Sequence, residues 1–157
     1  MSAQKNDANT GAVSPELDEM VCDLIGYMLD ELAEGRDPGV LACAEDAGSG
    51  RIEAAFTEDG EEACLEAAQA FVRDNARGNR DEGLGAIERY AIAYAGAVRL
   101  ENCYQDAVLV SFYERGLLDE EGAPTGYSAY VLFEGAGNEE QFAWSDPQPA
   151  GEEPPLI

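Results

Sequence analysis

The most regular hydrophobic pattern in the chain lies near its start. Leu17, Met20, Val21, Leu24, Ile25, Met28, Leu29 and Leu32 recur at i, i+3, i+4 and i+7, the spacing that gathers apolar side chains on one stripe of an α-helix. Ser14 and Pro15 suit an N-cap and a first helical position. Glu16, Asp18 and Glu19 suit the positive end of the helix dipole, and Gly35 is a natural stop. The outer face carries Asp23, Asp30, Glu31 and Glu34. After Asp37-Pro38-Gly39 two short apolar runs, Val40 to Ala44 and Arg51 to Phe56, flank a glycine-containing polar segment and predict a β-hairpin. Ile52, Ala54 and Phe56 alternate with Arg51, Glu53 and Ala55, so one face of the second run is expected to be buried. A second helix is expected from about Gly60 to Ala76. Its stripe of Cys64, Ala67, Ala68, Phe71 and Val72 is narrow and rich in small residues, which permits close approach to a sheet. Residues 78–85, polar and glycine-rich, read as a loop.

Beyond residue 86 the period shortens to two. The runs Glu88–Leu100, Asp106–Tyr113 and Gly126–Phe133 are dominated by β-branched and aromatic residues, and six of the seven tyrosines lie in or between them. They predict an antiparallel meander. In the first run Tyr90, Ile92, Tyr94, Val98 and Leu100 form the expected core face, which Gly96 interrupts where a bulge or a close helix is anticipated. The other two runs are apolar on both sides, unlike strands of a sheet with one solvated face. Either something covers the second face or that face meets a partner, and Leu109, Tyr113, Tyr130 and Leu132 are the residues expected there. Gln141 to Trp144 suggests a last short strand. The fold class expected is α+β, one domain over residues 14–145 with two helices packed on an antiparallel sheet in the order α-β-β-α-β-β-β. Residues 1–13 lack periodicity and are expected to be flexible; residues 146–157, acidic and proline-rich, are expected to be disordered or extended.

Charge alters this picture more than composition does. Asp and Glu number 33 against nine Lys and Arg, a formal net charge of -24, and no basic residue follows Arg115. Such a field repels phosphate backbones and anionic membranes, so direct binding to either is not expected; it suits solubility or an acidic proteome in a salt-adapted organism, and it would also attract a basic protein partner. The polar start has no apolar run of the kind a secretory signal needs, and no stretch approaches the roughly 18 apolar residues of a membrane span, so a cytoplasmic location is expected.

Candidate chemistry is sparse. There is no histidine, which removes His-based catalytic triads, His-ligated zinc and the usual physiological proton shuttle. Gly83-Leu84-Gly85 begins like a dinucleotide fingerprint, but Glu88 stands at the third glycine and a strand follows instead of a helix. With Lys5 the only lysine, a P-loop is excluded. Asp74–Asn79 places Ala76 and Gly78 where an EF-hand needs oxygen ligands. Cys22, Cys43, Cys64 and Cys103 are too scattered for the paired ligands of a zinc site, and no carboxylate pair stands out. No catalytic residue, metal or cofactor is therefore assigned. The expectation is a non-catalytic acidic interaction module of adaptor, specific-chaperone or inhibitor type, with a homodimer through the apolar sheet face. The alternatives are a small-molecule binder or enzyme with a pocket lined by Tyr90, Tyr94 and Tyr127, and a mimic of nucleic-acid charge.

Overall fold

The computed structural model describes residues 13–58 and 60–157, so the flexibility expected of residues 1–13 lies, apart from Val13, outside the described residues. The architecture is α+β. Helix α1 (Pro15–Ala33) is followed by β1 (Val40–Asp46), β2 (Arg51–Phe56), α2 (Glu61–Asp74), a 3₁₀ turn (Arg80–Glu82), and strands β3 (Ile87–Leu100), β4 (Cys103–Glu114), β5 (Gly126–Glu134), β6 (Ala143–Trp144) and β7 (Gln148–Glu153). Among the described residues, seven strands join one antiparallel sheet in the order β2-β1-β3-β4-β5-β6, with β7 beside β6 along the same edge of β5. The first hairpin therefore extends the meander through a β1–β3 pairing.

The ends of α1 follow the local chemistry. Ser14 Oγ accepts the Leu17 N–H at 3.1 Å, Pro15 opens the first turn, and Gly35 turns away at φ 85°. Leu17, Met20, Ile25, Met28, Leu29 and Leu32 are all buried, each contributing about 1.5–3 kcal/mol of apolar transfer.

Residues opposite one another in an antiparallel ladder share a face, which sorts the sheet into two sides. One, the tyrosine face, carries Ile52, Phe56, Tyr90, Ile92, Tyr94, Leu109, Tyr113 and Tyr130. The other, the valine face, carries Cys43, Ala91, Ala93, Val108, Val110, Val131 and Phe133. Helix α2 lies on the tyrosine face, where Phe71 meets Phe56 edge-on at 5.9 Å. Helix α1 lies on the valine face, anchored by Ser14 to Glu114. Two helices thus serve two faces, and the β3 alanines opposite its expected core face belong to the core as well: Ala91 and Ala93 are fully buried.

Two local expectations change, and between the two forms expected of the last segment the structure shows one. Gly96 marks neither a bulge nor a helix contact. Its register is regular, and a Cβ there would sit 3.1 Å from Leu109 Cδ1 and 3.3 Å from Tyr94 Cε2, so two side chains of the same sheet close over it. Cys103, outside the run expected to start at Asp106, begins β4 and is exposed. Residues 146–157 take the extended form, β7 pairing with β5 before Leu156 N–H reaches Tyr90 Oη at 3.0 Å.

Candidate interaction surface

Leu109 and Tyr130 are direct cross-strand partners, with Leu132 one pair further along the same face. All three are half-buried. Tyr113 is different. It is 4% exposed, its ring is 6.0 Å from that of Tyr90, and Leu156 and Ile157 pack against the same core. It is a core residue, in a cluster that a final segment with no periodic signature joins.

The tyrosines grouped as lining one pocket separate. Tyr90 is buried with a phenol pushed up to about 12 by burial. Tyr94 borders a hollow of about 290 Å³ beside Glu61 and Cys64, and burial, then the nearby Glu61 carboxylate, raise its pKa. Tyr127 pairs with Phe112 and so projects from the opposite face. Burial raises the Cys43 thiol to about 12, and burial followed by Asp18 and Asp23 raises that of Cys22. None of these is the activated thiol or phenol that nucleophilic chemistry requires. Among the described residues, no three of the metal-binding side chains gather into a ligand group, and no helix is long and apolar enough to cross a membrane.

Two hollows open on the valine face, one beside β7 and the β4–β5 loop and the other between α1 and β6. At one end a hollow of about 800 Å³ has Phe112, Leu117, Tyr127, Ala129 and Pro149 as its floor and Asp119, Glu120 and Glu152 on its rim. At the other a hollow of about 420 Å³ is bounded by Ile25, Gly26, Leu29, Phe142 and Trp144, with Asp30 and Glu139 beside them. Pro147 borders both, so the two hollows adjoin as neighbouring parts of a trough. Leu118 and Trp144, at its two ends, are 46% and 60% exposed. Tyr127 Oη donates to the Leu118 carbonyl at 3.4 Å, tying the β4–β5 loop to the floor. Among the described residues, the lining includes five carboxylates and no lysine or arginine.

The trough's wall was read from sequence as a tail, so its residues were missed. The signal available was the sole tryptophan in a weakly predicted strand, with Leu117 and Leu118 heading an acidic loop. No family model, curated protein or solved structure matches this chain.

Proposed function

We propose that the protein is a non-catalytic interaction module that holds a basic, partly apolar segment of a protein partner in the trough between α1 and the β6–β7 edge. The observation that carries this reading is an apolar floor with large exposed side chains at both ends, rimmed by carboxylates with no basic residue among the described ones. Apolar surface supplies affinity where it leaves water, and aromatic anchors are enriched in interface cores. A rim of one charge sign speeds encounter with the opposite sign and rejects like-charged competitors. The chain as a whole, at -24, strengthens both effects.

Trp144 is the only tryptophan and reports directly on the site. An amphipathic leucine–lysine peptide titrated at low salt is expected to shift its emission to the blue, and the shift should weaken as salt shortens the Debye length below about 10 Å. A leucine–glutamate peptide of the same pattern should give no shift. Leu118→Glu, at an exposed position, should weaken the lysine peptide at least tenfold without unfolding the protein. Equal binding of both peptides, or none of either, would overturn the proposal.

A further inference from the structure

The strand that walls the larger hollow has little of its own to hold it. Among the described residues β7 pairs only with β5, and of its six residues only Glu153 is partly buried. Pro149 has no N–H to give the ladder, the register shifts between Ser128 and Ala129, and Gly151 sits at φ 140°. An edge strand held by main-chain bonds without apolar burial lies at the low end of local stability.

The anchor lies beyond the strand and on the opposite face. Glu153 Oε2 accepts the Ser111 hydroxyl at 3.2 Å. After Pro154 and Pro155, Leu156 and Ile157 pack, partly buried, against the core, and Leu156 N–H donates to Tyr90 Oη at 3.0 Å. Ser111 and Tyr90 belong to the tyrosine face, whereas Glu152 stands opposite Tyr127 on the valine face. The segment thus rounds the edge of β5. Pro147, Gln148, Pro149, Gly151 and Glu152 line the hollow of about 800 Å³, and neither Leu156 nor Ile157 does. That hollow is shaped by residues whose side-chain hold on the sheet is made on its other side.

We propose that residues 153–157 are a latch. When Leu156 and Ile157 dock beside Tyr90, β7 is held on β5 and the trough is formed; when they lift away, β7 frays and the trough loses its wall. The consequence for binding rests on the peptide reading above, and the latch itself does not. The coupling is reciprocal, because a ligand that binds only the closed form must favour that form.

Hydrogen exchange on the full chain reads the latch directly. L156E/I157E should speed exchange of residues 148–153 about a hundredfold, with α1 and β1 left at wild-type rates. Tyr90→Phe keeps the ring, removes only the acceptor of the Leu156 N–H, and should speed the same amides about fivefold. By Trp144 emission, the leucine–lysine peptide should bind L156E/I157E about tenfold more weakly, although two added carboxylates would by charge alone strengthen it. Saturating peptide should slow exchange of residues 148–153 in the wild type. Unchanged exchange in L156E/I157E, equally accelerated exchange in α1, or undiminished peptide binding by a variant whose β7 exchanges fast would each overturn the proposal. A wild type that binds no peptide would end the peptide reading alone, while acceleration confined to residues 148–153 would still support the latch.

Discussion

Asp46 shows how much a single side chain can connect. Its Oδ1 accepts the N–H groups of Gly48 at 2.8 Å and Gly50 at 2.9 Å, and its Oδ2 accepts that of Gly85 at 2.8 Å. One carboxylate thereby closes the β1–β2 turn and ties it to the loop that enters β3. The Gly85 bond, ahead of those from Gly50 and Gly48, holds its carboxyl below the ordinary aspartate value of 3.8, since hydrogen bonds to the charged form favour that form. The stability it contributes is full above that value and is lost as the pH falls through the lower folded value. Asp46→Asn should therefore melt well below wild type at neutral pH, with the gap narrowing in thermal scans as the pH falls below the ordinary aspartate value of 3.8. In the core, Met28→Ala removes a fully buried side chain and should cost about 3 kcal/mol in denaturant unfolding. For the thiols, maleimide at about pH 8 should modify exposed Cys103 and leave Cys43 intact in the native state. At this scale the alternation of β3 and the stripe of α1 were legible in the sequence. The roles of Asp46 and Gly96 were not, because each depends on atoms brought close by pairing across strands: Asp46 was one carboxylate among 33 acidic residues.

Among elements, the attachment of α1 is the decisive contact. At one level of the sheet, Glu114 on β4 faces Arg89 on β3, Glu45 on β1 and Arg51 on β2 in register. Their charges alternate: Arg89 bonds Glu114 at 3.2 Å and Glu45 at 3.0 Å, and Arg51 bonds Glu45 at 2.7 Å. Glu114 also accepts Ser14 N–H at 2.8 Å and Ser14 Oγ–H at 2.7 Å, so the N-cap of α1 is clamped to the end of this row. Glu114→Ala leaves the half-buried Arg89 with Glu45 alone and should cost about 2 kcal/mol, less than a fully buried pair. Ser14→Ala should cost about 1 kcal/mol for the lost cap. The two changes made together should cost less than their sum in a double-mutant cycle, because both sever the same contact. Most element boundaries were readable to within a few residues from periodicity, proline and glycine. The β1–β3 pairing and the strand in residues 148–153 were not. A pairing between segments some 45 residues apart leaves no local trace, and β7 is held by β5 with nearly all its side chains exposed.

For the molecule as a whole, self-repulsion from a charge of -24 works against compactness. Added sodium chloride should raise the melting temperature steadily as screening increases, while it weakens the lysine-peptide complex at the trough. Opposite responses of stability and binding to the same salt would link both to one field. What the sequence by itself determined was the α+β class, the single long amphipathic helix, the tyrosine-rich strands and the exclusion of histidine chemistry, since these follow from residue type and periodicity alone. Only the tertiary structure decided which helix covers which face, that Tyr113 belongs to the core while Leu109, Tyr130 and Leu132 stay half-open, and that the acidic final segment walls a trough with Trp144. Burial is a property of neighbours, and in this chain the neighbours that settle each of those questions arrive from distant parts of the sequence.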